Sequence, residues 1–289
     1  MRAFEYVRPT SLAEAIALLD RHGPAARPLA GGTDLVIRLR DGSIRPEVVF
    51  DVKAIPELDA GILEADGSLV IGARAVMTDI DADPRVRRHF PALAEAALVV
   101  GSAQIRNRAT LAGNLCNASP AADTAPALLV YGAVLVVAGT AGTRRIPVDD
   151  LWIRSGVTTL ARDELLIAIE LPIPIEPRGS THVRRTRRRG HDLASVTLAC
   201  SVGRDGVTRL AYGSVGPRPL LVVDDSGVLA DLEAADASWA ERLDRLLAGA
   251  APSPTSMRAS PEYRLAMLRV LGRRAIAESV RRLAAGGAP

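Results

Sequence analysis

The sequence predicts an α+β fold in two domains, and three observations carry the prediction. Strand-like and helix-like patterns interleave through about the first 53 residues. An Asp66-Gly67 turn signal then opens a region in which a hairpin, helical stretches and apolar strands follow one another. Finally Pro172, Pro174 and Pro177, with Gly179, interrupt the chain ahead of further strands and two amphipathic helices. Proline cannot donate to a sheet ladder and breaks a helix interior, so this cluster marks a connection. The division is drawn as residues 1–175, with subdomains of about 1–53 and 54–175, followed by residues 178–285.

Each element has a local reason. Residues 4–9 alternate apolar and polar and end on Pro9, as a short strand does. Thr10 or Ser11 caps a helix running to about Leu19, with Glu14 placed for a capping box and Leu12, Ala15, Ile16 and Leu19 as its apolar stripe. Residues 27–30 form a second strand, Leu35, Val36 and Leu39 suggest a helix, and residues 46–52 a third strand. Residues 62–64 and 69–72 are the arms of the hairpin, and a helical region extends to about Leu98. Residues 127–131 are read as helical, 133–138 as a buried strand, 144–148 as a shorter one, and 163–172 as a strand entered through a turn. Beyond the prolines, residues 182–194 lead to a strand at 195–202, and residues 209–219 form a glycine- and proline-bearing segment. Residues 232–247 and 263–283 are amphipathic helices, and the tail 284–289 is expected to be disordered.

Composition narrows the functional classes. The formal charge is +3, close to balance for 289 residues, and aromatics are 3%. That argues against a nucleic-acid binder, which concentrates basic charge on one face and stacks bases on aromatic rings. Cys116 and Cys200 lie far apart and cannot supply the four thiolates of an iron–sulfur site. Both are expected to be free thiols in a reducing compartment, with Cys116 read as a small buried filler. No apolar run reaches the length of a membrane span, and the N-terminus lacks the apolar core of a signal peptide, so the protein is expected to be cytoplasmic.

Two glycine-bearing loops carry the candidate chemistry. The first is Leu29, Ala30, Gly31, Gly32, Thr33, Asp34, Leu35 and Val36. The second runs from Thr110 through Ala112, Gly113 and Asn114 to Asp123. Glycines let backbone approach a ligand and expose N–H groups that bind phosphate. Thr33, Thr110, Asn114 and Ser119 add neutral donors, and Asp34 and Asp123 add acceptors. A dinucleotide needs that mixture.

Together these stretches resemble the flavin-binding subunit of the molybdenum hydroxylases, the family of carbon monoxide dehydrogenase and xanthine dehydrogenase. Ala30 to Leu35 matches its AGGTDL motif; Thr110 to Asn114, and Asn117 to Asp123, match its second motif. Further matching stretches are Gln104-Ile105-Arg106-Asn107-Arg108, residues 163–172, Gly213 to Pro219, and residues 258–264. The resemblance implies a two-subdomain FAD-binding domain of the PCMH type, then a small C-terminal α+β domain of the CO dehydrogenase flavoprotein type. It implies FAD wrapped by both motifs in the cleft between the domains. It also implies a large molybdopterin-binding subunit and a small [2Fe–2S] subunit as partners, in a heterotrimer whose dimerisation stays open. Electrons would pass from the clusters through this FAD to an acceptor such as NAD, quinone or oxygen.

The resemblance nominates further residues. Leu166 falls where the family presents backbone to the ligand, and Val100 either lines the flavin or adenine region or is structural. Arg184 stands where the family has a lysine, counting back from Arg188, Arg189 and Asp192. Leu193 is either against the flavin ring or core. The arginine run 184–189 can be read as a nucleic-acid patch, a solvated or partner-facing surface, or the source of one FAD contact. Two positions depart from the family: Ala112 replaces a glycine, and Arg184 changes the reach and geometry of the cation. GxGxxG after a strand, a P-loop, HExxH and GxSxG are all absent, and the four histidines do not cluster as metal ligands. With no acid–base machinery of its own, the chain reads as a redox module, the alternatives being a non-catalytic assembly protein of the same fold or an autonomous FAD oxidase.

Overall fold

The computed structural model describes residues 2–188, 190–233 and 236–286. The chain opens with β1 (Glu5–Val7), α1 (Leu12–His22), β2 (Ala26–Leu29), α2 (Leu35–Arg40) and β3 (Val48–Asp51). The three strands form a parallel sheet in the order β1-β3-β2. Ser11 caps α1 by accepting from the Glu14 N–H, while Glu14 reaches back to the N–H and hydroxyl of Thr10. The expected capping box is therefore present, shifted outward by one residue at its return bond.

Next come β4 (Ile62–Ala65), β5 (Ser68–Gly72), α3 (Met77–Ala82), α4 (Pro84–His89), α5 (Pro91–Leu98), α6 (Ala103–Arg106), α7 (Leu111–Cys116), α8 (Thr124–Val130), β6 (Val134–Gly139), β7 (Gly142–Pro147), β8 (Trp152–Arg154), β9 (Val157–Thr158) and β10 (Leu165–Pro172). Asp66 and Gly67 both take positive φ (49° and 72°), as the predicted two-residue hairpin between β4 and β5 requires. Strand β10 returns into the middle of an antiparallel sheet ordered β4-β5-β10-β6-β7. The small β8–β9 ribbon stands apart and was not foreseen.

The remainder is β11 (Arg178–Arg185), β12 (Val196–Gly203), β13 (Thr208–Gly213), β14 (Leu220–Asp224), α9 (Asp236–Leu247) and α10 (Pro261–Ala284). The four strands form an antiparallel meander, and α10 packs along β11 and β12. Three expectations are corrected here. Residues 182–185, read as a lead-in, belong to strand β11, and residues 220–224 form a strand no pattern had marked. Ala284 closes α10, so the expected disordered tail starts too early; its residues 287–289, and residues 234–235 of the expected helix 232–247, lie outside the described residues.

Two apolar cores result. The larger runs from Ala15 to Leu171 and takes in Ala199 and Ala211 of the meander, and the smaller joins the meander to α9 and α10 through Leu198, Tyr212, Trp239, Leu268 and Ile276. Between them, α5 lies against β11, and α8 against β12 and β13. This junction is polar at its centre. Glu95 of α5 accepts from the Thr181 hydroxyl (3.0 Å) and the His182 N–H (2.7 Å) and pairs with Arg282 (2.6 Å). The Tyr131 hydroxyl meets Ser180 at 2.5 Å and accepts from the Ala92 N–H at 3.0 Å.

Candidate functional site

Strands β2 and β3 end side by side at Leu29 and Asp51, and the first glycine stretch leaves from that edge. Ligands of parallel sheets gather beyond the carboxyl ends of the strands. Gly32 has φ +75°, in the left-handed region where glycine escapes the Cβ penalty. Gly31 serves a different need. A Cβ there would lie 2.0 Å from the Arg108 carbonyl oxygen, so the first stretch runs directly against the backbone just before Thr110. The two motifs, nearly eighty residues apart in sequence, therefore touch.

A cleft of about 90 Å³ opens at the contact, lined by Ala30, Gly31, Lys53, Arg74, Val76, Asn107, Arg108 and Thr110. Three of these were expected: Ala30, Gly31 and Thr110. The side chains that charge the cleft were not. Lys53 follows β3; its ammonium contacts Asp51 Oδ1 at 2.6 Å and donates to the Ala30 carbonyl at 3.3 Å. Arg74 donates to the Lys53 carbonyl at 2.5 Å, and its Nε is buried without a partner among the described residues. Burial alone would raise the Asp51 carboxyl. The Lys53 ammonium and N–H and the Tyr6 hydroxyl (2.8 Å) outweigh that and hold it below the ordinary carboxylate value. Among the described residues the cleft wall thus carries Lys53, Arg74 and Arg108 and no carboxylate.

The second motif is less of a loop than its sequence suggested. Thr110 caps α7, its hydroxyl accepting from the Gly113 N–H at 3.0 Å, so Ala112, Gly113 and Asn114 lie in the first helical turns. Ala112 has no positive φ and is buried in the larger core, which is why a methyl group is tolerated there. Asn114 Oδ1 accepts from the Thr124 hydroxyl at 2.8 Å, joining α7 to α8. Cys116 is exposed, which corrects its reading as a buried filler, and both thiols are free. After α7, Ala118 adopts φ 48°, an uncommon conformation for a residue with a Cβ. The Pro120 carbonyl then accepts from the Ser214 N–H at 2.6 Å, and a Cβ at Gly213 would approach that oxygen to 2.8 Å. The Gly213-Ser214 turn after β13 is thereby pressed against the second motif.

Asp123 stands at the start of α8 without capping it. Its Oδ2 accepts from Arg184 at 2.8 Å, while its buried Oδ1 has no hydrogen-bond partner among the described residues and lies 3.6 Å from His182 Nε2. His182 and Arg184 are two apart on β11, so their side chains leave the same face. His182 was not anticipated; its separation from Arg184 was the available signal, hidden because β11 was not recognised as a strand.

The other nominated residues are dispersed. Asp34 is exposed and opens α2 without a capping bond, Thr33 and Leu35 are half-buried, and Val36 is exposed, its N–H donating to Gly32. Val100 is half-buried, its carbonyl accepting from Arg106. Leu166 is buried in β10 opposite Val137, beside a bulge. Leu193 is exposed next to Asp192, whose carboxylate accepts from the N–H groups of Arg187 and Arg188. Arg189 lies outside the described residues. None of Val100, Leu166 and Leu193 lines the cleft.

These features fit a flavin dinucleotide. The cationic cleft lined by glycine backbone suits a pyrophosphate, and an orphaned buried carboxylate oxygen suits a hydroxyl donor. The fold and site define an FAD-binding oxidoreductase subunit. The family described as the FAD binding domain in molybdopterin dehydrogenase matches residues 2–174, and the CO dehydrogenase flavoprotein C-terminal domain matches residues 181–279; the chain belongs to this family. It is 34% identical over 98% of its length, and 97% of the other, to a putative xanthine dehydrogenase FAD-binding subunit of Escherichia coli. It is 31% identical to the carbon monoxide dehydrogenase medium chain of Afipia carboxidovorans, covering 95% and 96%. Among solved structures, reconstituted CO dehydrogenase from Oligotropha carboxidovorans superposes with a TM-score of 0.90 at 29% identity, covering 97% and 99%. Quinoline 2-oxidoreductase from Pseudomonas putida gives 0.85 at 28%, covering 97% and 98%.

Proposed function

We propose that this chain is the electron-exit subunit of a molybdenum hydroxylase. In that reading it receives electrons from the [2Fe–2S] clusters of a small partner subunit. Those clusters are fed by a large molybdopterin subunit, and this chain's FAD passes the electrons to NAD, quinone or oxygen in the cytoplasm. The observation that carries the reading is the meeting of the two motifs around a cleft whose charged side chains are all cations. Residues 1–175 and 178–285 would be the two domains, with the cofactor along their junction. Bound FAD supplies the redox chemistry; the protein positions it and tunes it. Gly31, Gly32 and Thr110, with Arg74 and Arg108, would hold the pyrophosphate. Asp123, hydrogen-bonded to Arg184, would accept from a sugar hydroxyl, and Leu193 would shield the ring. Asn114 would fix the α7–α8 corner.

Two measurements test this. The purified chain should show flavin bands at about 370 and 450 nm and release FAD on unfolding. Co-expressed with its neighbouring subunits, it should purify as a complex containing molybdenum and iron–sulfur clusters. A folded, colourless chain that stays colourless with added FAD would end the proposal.

A further inference from the structure

Lys53 is the only lysine in the sequence; every other basic side chain counted among the 36 is arginine. In a chain so strongly committed to arginine, the one exception stands in the wall of the cleft. Arginine offers a planar fork of donors, whereas an ammonium offers three donors in tetrahedral array on a flexible stem. Two of the three are used. One goes to Asp51 Oδ1 at 2.6 Å, the other to the Ala30 carbonyl at 3.3 Å. Asp51 is nearly fully buried and fixed by Tyr6 and the Lys53 N–H, so it is a rigid anchor for the ammonium. Arg74 closes the arrangement from the other side by binding the Lys53 carbonyl.

We propose that the third donor of Lys53 binds a phosphate oxygen of the FAD pyrophosphate, so that one ammonium ties the cofactor to the first glycine stretch and to β3. The proposal rests on the FAD reading above and adds to it a specific side-chain contact. A guanidinium at this position keeps the charge but cannot place three divergent donors on Asp51, Ala30 and a phosphate at once. The ammonium is also half-exposed in the free protein, so it is open to acylating reagents until the cleft is filled.

The singularity of Lys53 makes the test clean. The full-length chain, stripped of flavin, is treated with sulfo-NHS acetate, with and without saturating FAD or riboflavin, and acetylation at Lys53 is followed by peptide mass spectrometry. FAD is expected to slow acetylation by about tenfold or more, and riboflavin, which has no phosphate, to leave it unchanged. In parallel, FAD titrations of Lys53→Met and Lys53→Arg should each give a dissociation constant about tenfold or more above wild type, the scale of one lost hydrogen bond to a charged group. Equal acetylation rates with and without FAD, protection by riboflavin equal to that by FAD, or a Lys53→Arg protein binding FAD as tightly as wild type would overturn the contact. The protection measurement uses the wild-type chain, so a variant that misfolds does not decide the matter. If the wild-type chain itself takes up no FAD, the functional reading falls; if it takes up FAD while Lys53 stays unprotected, only the contact falls.

Discussion

Replacing Gly31 with alanine tests whether the two motifs are held together as tightly as the geometry states. The added Cβ would lie 2.0 Å from the Arg108 carbonyl oxygen, 2.7 Å from its carbon and 3.0 Å from Ala109 Cα. Ordinary contact begins at 3.4 Å, so the two backbones must part by 3.4 − 2.0 = 1.4 Å. Neither side yields easily. The Ala109 carbonyl accepts from Met77 at 2.9 Å, its N–H donates to Ile105 at 2.7 Å, and the Leu111 N–H donates to Ala75 at 3.2 Å. Overpacking of this kind costs about 2 kcal/mol, which lowers the melting temperature of a chain this size by about 3 °C. Because the displaced atoms line the cleft, FAD affinity should fall by about tenfold or more in the same variant. Gly249→Ala, where the Cβ would meet only ordinary contacts at 3.5 and 3.9 Å, serves as the control and should change neither quantity. Thermal melts of the flavin-free chain and FAD titrations by fluorescence quenching read the two effects. A Gly31→Ala protein that melts within about 1 °C of wild type and binds FAD normally would refute the close approach.

Arg184→Met should destabilise the chain by about 3 kcal/mol in urea titrations, because it strands the buried Asp123 carboxylate; adding Asp123→Asn should recover part of the loss. An unchanged single variant would mean that the pair contributes nothing. Burial pushes the Cys200 thiol up to about 12, so it should resist a thiol reagent at neutral pH until the chain unfolds; early labelling at Cys200 would contradict its place in the smaller core. Asp224 is raised by burial but lowered more by Ser226, Arg242 and the Ser226 N–H, so its folded pKa lies below the ordinary value. Its stabilisation is therefore complete above about pH 4 and lost as the pH falls through the lower folded value. Asp224→Asn should flatten acid denaturation in that range, and an acid limb identical to wild type would refute the assignment.

Much of the first 172 residues was legible because local chemistry and tertiary structure agree there. Asp66-Gly67 takes the positive φ values its sequence advertises, and Ser11 caps the helix whose stripe follows it. Strand β11 failed as a pattern for the opposite reason. Its interior is Gly179, Ser180, Thr181 and His182, all buried, with no apolar alternation to detect. These polar residues are satisfied by Glu95, Tyr131 and Arg282, which are distant in sequence, so nothing local announces a strand. The second motif misled in a subtler way. Gly113 and Asn114 read as turn residues, yet Thr110 supplies the N-cap that commits them to a helix.

The same contrast governs the candidate site. Glycine positions are visible in a sequence because few other residues satisfy a positive φ or a backbone approach as close as that of Gly31. The cations of the cleft carry no such mark, since an arginine or lysine at the end of a strand is usually a solvated side chain. Lys53 and Arg74 become site residues only because Gly31 lets the first stretch close against Arg108 and Ala109, which brings the ends of β3 and β5 to one cleft. Backbone motif and side-chain charge are therefore one device. The glycine sets the distance, the anchored Asp51 fixes the ammonium at that distance, and the ammonium holds the Ala30 carbonyl in return. On this argument Gly31→Ala and Lys53→Met should not act independently. Once the glycine stretch has been displaced, removing the ammonium should weaken FAD binding by less than it does in the wild-type chain, and a fully additive double variant would separate the two roles.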